Sequence, residues 1–189
     1  MPILEMRAAT FCDAKTSVPP MSIALDAGEC ADFVCDSGYA ASIVARLAAG
    51  IMKCTTGTVF IGSFDPKIQP VQAKRLTGFV SHELLRTVSN PSAYFAYRAA
   101  LWELNRAEAI ARGQTLLQRF DGLPTDQSVA LAGALLHAPQ LLVLDRPHQL
   151  LREAAQEAAV HAAVFAVYGP GEMTTVRSPV AVTLAQAVQ

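Results

Sequence analysis

Cys35-Asp-Ser-Gly-Tyr-Ala-Ala-Ser42 is the stretch on which the reading of this chain turns. An apolar segment, Cys30 to Val34, runs into it, and a run with helical periodicity leaves it towards Gly50. Strand, tight turn and helix in that order cradle phosphate when the turn carries G-x-x-x-x-G-K-[ST]. Laid on this stretch, the first Gly falls on Cys35, the second on Ala40, the Lys on Ala41 and the Ser/Thr on Ser42. Ser42 alone fits, with Gly38 as a small residue inside the turn. The pattern predicts a turn over 35–41, a helix over Ser42–Ala49 and a helix stop at Gly50.

The flanks carry more. Residues 21–34, MSIALDAGECADFV, read as strand, acidic-Gly-Glu turn and strand. Residues 45–66, ARLAAGIMKCTTGTVFIGSFDP, read as a helix, a Thr-x-Gly turn and a strand. RLTGFVSHE, 75–83, is a short strand leading to His82. QSVALAGALLHAPQLLVLDRP, 127–147, is a helix followed by an apolar strand that ends in Asp145. In this order, over roughly residues 1 to 150, these segments resemble the ATP-binding subunits of ABC transporters. The chain is identified as a degenerate member of that ATP-binding cassette family. The resemblance implies an α/β, P-loop-NTPase-like three-layer fold with a mainly parallel central sheet, an antiparallel N-terminal β portion and a helical insert. It implies a single domain over 1–189, with the core at about 1–82 and 123–189 and the insert at about 83–122.

Within that resemblance the chemistry-bearing positions have changed. Ala41 stands where the family's lysine contacts the β and γ phosphates. A charged hydrogen bond of this kind is worth about 1.5–3 kcal/mol. Losing one donor to developing charge typically costs roughly 10²–10³ in rate. Cys35 and Ala40 add Cβ atoms where the turn needs glycine's freedom to wrap phosphate. Arg146 replaces the glutamate that polarises water in the family. Arginine stays charged and accepts no proton, so it is expected to pair with Asp145 or to contact an anion. His82 takes the place of the Q-loop glutamine; a lone histidine there also reads as simply exposed. FDGLPTDQS, 120–128, stands in place of the signature LSGGQ, so Asp121 and Asp126 would repel phosphate. Gly169 stands where the family's switch histidine follows the strand Val164–Tyr168.

Two positions keep family letters. Ser42 and Asp145 lie where the hydroxyl and carboxylate that hold Mg²⁺ are found, and with phosphate present they supply such a site. The plainer reading makes Ser42 a residue near a helix start and Asp145 a strand-end cap. Phe11 falls near the family's adenine-stacking aromatic and reads equally as core.

Composition narrows the field. The chain of 189 residues is long enough for one compact α/β domain. With 52% hydrophobic and 16% charged residues it is apolar, which suggests buried strands and surface committed to partners. Fifteen basic against 16 acidic side chains leave no basic excess, so no nucleic-acid partner is expected. Cys12, Cys30, Cys35 and Cys54 show no C-x-x-C spacing and read as small buried hydrophobes in a reducing compartment. The N-terminus lacks a signal-peptide layout, and no run of eighteen apolar residues exists.

The remaining elements follow from local signals. Residues 2–11 read as an edge strand, and 13–20 as a turn because Pro19-Pro20 is barred from a central strand. Strands are expected at 21–26, 29–34, Thr58–Ile61, Gly78–Ser81, Gln140–Leu144 and Val164–Tyr168. A short helix or a turn is expected at 70–75, and helices after Asn90-Pro91, at Ala107–Phe120 with a weak point at Gly113, at Gln127–Leu136 and at Leu150–Val160. Thr174–Val182 reads as a further strand and the tail as a short helix. Gln140–Leu144, fully apolar, is expected at the sheet centre, beside the strand that enters the Cys35 turn.

The resulting expectation is a non-hydrolysing scaffold or regulatory partner of a membrane transporter-like complex. It would pair with an integral membrane subunit, an active ATP-binding cassette subunit, or both, and a dimer is one such arrangement. By the resemblance it would lie on the cytoplasmic side, peripheral to the membrane through protein contacts. No cofactor is expected. The alternative is an ATPase subunit that hydrolyses ATP weakly or only in a heterodimer, and ATP and Mg²⁺ belong to that alternative. The docking surface would be lined by His82–Arg86 and by Tyr94, Phe95, Tyr97 and Trp102, since aromatics and Arg anchor interfaces.

Overall fold

The computed structural model describes residues 1–14, 16–83, 90–172 and 183–184. Among them, β1 (Leu4–Cys12), β2 (Ser17–Leu25), β4 (Thr56–Ile61) and β8 (Thr183–Leu184) form an antiparallel sheet in the order β4-β1-β2-β8. β3 (Cys30–Val34), β5 (Thr77–Val80), β6 (Leu141–Asp145) and β7 (Ala163–Tyr168) form a second sheet, parallel throughout, in the order β3-β7-β6-β5. The expected α/β fold with a parallel sheet and an antiparallel N-terminal portion is therefore present.

Helix α1 (Gly38–Ala48) is packed on both sheets. Ala41, Ile43, Val44, Ala45, Leu47 and Ala48 are all buried, so the helix is apolar around most of its girth, as a helix enclosed by protein must be. Leu141, Val143, Phe165 and Val167 of the parallel sheet join this core, together with Leu4, Met6, Ile23 and Leu25 of the antiparallel sheet. The alternate strand residues Leu142, Leu144, Val164 and Ala166 face the opposite way. There they meet α5 (Thr125–Leu135), α6 (Gln149–Ala158) and the pair α3 (Pro91–Leu101) and α4 (Arg106–Arg119). Every residue of β6 and β7 is buried, which explains why both are apolar throughout except for Asp145 at the end of β6. α2 (Pro70–Arg75) leads into β5.

Several boundaries follow the local signals. Gly50 has φ +67°, its N–H donates to Leu47 O, and Ile51 N–H donates to Arg46 O. These two bonds close the helix in a Schellman motif, which needs the left-handed residue that glycine supplies. Asn90 caps α3 through Ala93 N–H, with Pro91 at the first helical position.

Other expectations are corrected. β1 is an interior strand, paired with β2 and β4, because the strand at 56–61 folds back onto it. Pro19-Pro20 lies inside β2. The register jumps there from Phe11↔Val18 to Ala9↔Met21, so the two prolines oppose Thr10 alone in a bulge. The missing N–H groups are tolerated at such a site. β6 is central but is not beside β3, because β7 lies between them. α1 begins at Gly38 rather than Ser42. Cys12 is exposed, Cys30 half-buried, and only Cys35 and Cys54 are buried. The expected strand at 174–182 and the tail helix lie outside the described residues, apart from β8.

Candidate phosphate-turn site

The site is the junction where β3, β6 and β7 end and α1 begins. β3 leaves the sheet at Val34, and Cys35 N–H donates to Tyr168 O at 2.8 Å, which ties the turn to β7. Burial, and then the charge of Asp36, push the Cys35 thiol up to about 12, so it stays protonated. Ser37 is the N-cap. Its Oγ accepts from Ala40 N–H at 3.1 Å and its carbonyl accepts from Ala41 N–H at 3.0 Å. This cap was not singled out in the sequence, although Ser three residues before a helical amide is its usual signal. It also explains why α1 starts four residues early: the segment expected to form an open turn is already wound, and Ala40 and Ala41 spend their N–H groups within it.

Ala41 is fully buried in the core shared with both sheets. Tyr39 is exposed, so the bulky ring points to solvent. Ser42 Oγ donates to Asp145 Oδ1 at 2.8 Å. The two positions with family letters are thus brought together. Asp145 is 3% exposed, and its Oδ2 has no hydrogen-bond partner. A Mg²⁺ ion takes one or two protein oxygens when phosphates and waters complete its octahedron. Asp145 Oδ2 and the lone pairs of Ser42 Oγ suit that minimal contribution. No group of three or more His, Cys, Asp or Glu that could hold a metal occurs among the described residues.

Arg146 does not pair with Asp145. Its partner is Glu172, a residue that sequence reasoning missed. Arg146 Nε donates to both Glu172 oxygens, at 2.7 and 3.0 Å, and Nη2 donates to Oε1. Gly169 N–H donates to Glu172 Oε2 at 2.7 Å. The carboxylate raises the Arg146 pKa, and the Arg146 hydrogen bonds hold Glu172 below the usual carboxylate range. The guanidinium lies on the start of α1: a Cβ at Gly38 would sit 2.8 Å from Arg146 Cζ. Gly169 follows β7 as expected, and a Cβ there would lie 3.0 Å from Gly38 Cα. The close approach of the two glycines explains why no side chain, histidine included, stands at 169. The only sequence signal for Glu172 is its place directly after the Gly-Pro-Gly turn.

The other candidates are scattered. His82 is exposed, as the plainer reading had it. Asp121 and Asp126 are exposed around the start of α5. Phe11 is half-buried against the core. On α3, Phe95 is fully buried and Tyr94 packs over Gly133, so Phe95 cannot line a docking surface; its ring fills the space that Gly113 leaves on α4. Trp102 stacks on His137, ring centroids 4.3 Å apart. Tyr97 is 60% exposed. Leu85, Arg86 and Val88 lie outside the described residues.

No protein-family model matches the chain. The ABC transporter ATP-binding protein NatA of Bacillus subtilis is 26% identical over 145 residues, covering 69% of this chain and 59% of the relative. The Fe(3+) ions import ATP-binding protein FbpC 1 of Rhizobium meliloti is 27% identical over 147 residues, covering 71% and 41%. The chain thus spans between 41% and 59% of the length of these relatives. A solved ATP-binding subunit of an ABC transporter superposes with TM-score 0.70 at 17% identity, covering 89% of this chain and 80% of the other. CbiO1 from Clostridium perfringens, part of the ABC transporter complex cbiONQ, gives 0.65 at 18% identity, covering 88% and 78%. In sequence the chain is similar to ABC ATP-binding proteins, and its fold is that of their ATP-binding subunits.

Proposed function

We propose that this chain, built on the fold of the ABC ATP-binding subunits, is a non-hydrolysing scaffold or regulatory partner in a membrane transporter-like complex. One observation carries the reading. The Arg146–Glu172 pair is seated on Gly38, at the mouth of the phosphate turn. A carboxylate therefore lies close to where a nucleotide's phosphates would approach, and the residue after Asp145 is a guanidinium that accepts no proton. The burial of Ala41 adds to this, since no cation stands on that turn of α1. No cofactor is then needed.

The chain's partners under this reading are an integral membrane subunit, an active cassette subunit, or both, engaged from the cytoplasmic side. No helix among the described residues is long and apolar enough to cross a membrane, so protein contacts would hold the chain there. Tyr97 and Leu101, exposed on α3, are the apolar groups offered for that contact. A second reading, weak hydrolysis of MgATP in a heterodimer, is favoured by the Ser42–Asp145 contact alone.

Phosphate release from ATP separates the two. The purified chain, alone and with its co-purified partners, should show none above buffer. Steady-state release that disappears in Asp145→Ala would overturn the non-hydrolysing reading. For the partner, pull-down from solubilised membranes should bring an integral membrane protein with the wild type and lose it with Tyr97→Glu. A wild-type chain recovered alone from its native cells would end the partner assignment.

A further inference from the structure

The starts of β6 and β7 lie at the far end of the parallel sheet from the phosphate turn. Strands of five and six residues separate the two ends by roughly 15–20 Å. At the far end a groove of about 650 Å³ runs between α4 and the last residues of α5 and α6 with the loops after them. Its floor is made of small side chains. Pro139, Ala159 and Ala162 are buried there, and Ala138 takes φ 52°, a left-handed conformation uncommon in a residue with a Cβ. Val160, on the rim, is 66% exposed. More than half of the lining residues are exposed, so the groove does not enclose its occupant as a small-molecule pocket does.

The charge on the groove is one-sided. Arg112 and Arg119 of α4 line it, with His161 after α6, and no Asp or Glu does. The whole chain, by contrast, has 15 basic and 16 acidic side chains. Arg119 reaches across to α6, where Nη2 donates to Glu157 O at 3.5 Å, and most of its five N–H groups stay unused. Arg112 has no hydrogen-bond or ion-pair partner among the described residues, although Glu108 stands four residues before it, at the spacing of a helical pair. Its charge bears instead on the His137 ring, whose pKa it helps to lower. The ends of α5 and α6 bring about half a negative charge each, which two full positive charges outweigh.

Spacing decides what fits. Arg112 and Arg119 are seven residues apart, which puts them on one face of α4, about 10.5 Å apart along its axis. Two carboxylates at i and i+7 of a second helix have the same spacing. Between them, position i+3 or i+4 carries a side chain to the alanine floor and covers Val160. The small floor residues let a second helix approach to the usual 8–10 Å or so between axes.

We infer that this groove is a docking site for an acidic amphipathic helix of a partner protein, with acidic residues seven apart that meet Arg112 and Arg119 and an apolar residue between them. The inference does not rest on the non-hydrolysing reading. The groove is at the opposite end of the sheet from Ser42 and Asp145, and neither Tyr97 nor Leu101 lines it.

The probe comes from a displayed library of helical peptides of about fifteen residues, randomised on one face and selected on the full chain. Enriched peptides should carry Asp or Glu seven residues apart and an apolar residue three or four after the first. The tightest is labelled and titrated by fluorescence anisotropy. Arg112→Gln and Arg119→Gln should each weaken it about three- to five-fold, and the double variant at least about ten-fold. Arg106→Gln makes the same charge change on another face of α4 and should leave affinity unchanged. Tyr97→Glu should also leave it unchanged, so this site and the membrane-partner assignment fail separately. Charge exchange guards against misfolding: Arg112→Glu with Arg119→Glu should bind the same peptide once its two acids are replaced by Lys. A selection without binders, binders that lack the acidic pair, or binding that survives the double substitution overturns the docking site. Sedimentation of the chain alone checks the other occupant. A dimer that Arg112→Glu with Arg119→Glu disperses would give the groove to a second copy and overturn the partner helix.

Discussion

Asp32→Ala should be among the most damaging single substitutions in the chain, although Asp32 lies well away from the phosphate turn. Asp32 sits on β3, and its carboxylate faces Arg152 of α6, with side-chain exposures of 9% and 10%. Arg152 Nε donates to Oδ1 at 2.7 Å and Nη2 to Oδ2 at 3.3 Å, while Nη1 donates to Gln156. Burial, and then the Asp32 charge, push the nearby Tyr168 phenol upwards. Removing the carboxylate leaves the guanidinium buried with only uncharged neighbours, Gln156, Cys30 and Tyr168, to meet its charge. Breaking one side of such a pair costs about 3–5 kcal/mol. Replacing both sides with apolar groups is often neutral or stabilising. Urea unfolding followed by circular dichroism measures this. With a slope of about 2 kcal/mol/M, the single variant should lose about 1.5–2.5 M in midpoint. Asp32→Leu with Arg152→Met should recover most of it. A single variant within about 1 kcal/mol of wild type would refute the reasoning. So would a double variant no better than the single.

Gly113→Ala places a Cβ 2.3 Å from Phe95 Cδ2, against a ring with no exposure. Overpacking of about 1–3 kcal/mol should outweigh the roughly 1 kcal/mol that Ala gains over Gly in a helix. The melting temperature should fall, and Phe95→Leu in the same chain should restore part of it. Ala41→Lys forces a long cation into a fully buried position. It should lower stability by about 1–3 kcal/mol and leave phosphate release at buffer level, since Arg146 still supplies no base. His137 Nε2–H donates to Thr77 O at 3.1 Å, and burial pushes its pKa down to about 4, with Arg98 and Arg112 adding to the effect and the Thr77 bond opposing it. The unfolded chain, near 6.5, therefore binds the extra proton first, and stability should fall as pH drops from about 6.5 towards about 4. The nominal loss of about 3 kcal/mol shrinks to about 1–2 for a ring partly open to solvent. Urea midpoints across that range, compared with His137→Phe, isolate it: a slope that persists in the variant assigns the effect elsewhere.

The fold was legible wherever one signal acted alone. LLVLD and AVFAVY could only be strands covered on both faces, and Asn90-Pro91 and Gly50 marked helix ends by their backbone chemistry. It was misread where two effects competed. Pro19-Pro20 argued against a strand, but the bulge opposite Thr10 removed the need for their N–H groups. Ser42 drew the helix start because it carries a family letter, while Ser37 had the geometry to cap. The site was half legible. Ser42 and Asp145 meet as their positions implied. The partner of Arg146 was hidden, because Glu172 belongs to a turn with no periodic pattern and reaches the site only after β7 has crossed the sheet. Asp32, an acidic residue inside the apolar CADFV, was a visible anomaly whose partner on α6 no local pattern reveals.

The position of β7 between β3 and β6 has a consequence for synthesis. The antiparallel strands β1, β2 and β4 and helix α1 lie in the first third of the chain, and they can pair as they leave the ribosome. β3 cannot join its sheet then, because Cys30 pairs with Val164 and Val34 with Tyr168. Until those residues emerge, one flank of α1 and the edge of β3 that β7 pairs with stay uncovered. Long-range parallel pairing of this kind folds slowly and exposes sticky edges meanwhile. The nascent chain should therefore depend on chaperones until β7 slots in, and a stall placed before residue 163 should leave a species that aggregates rather than a stable truncated fold.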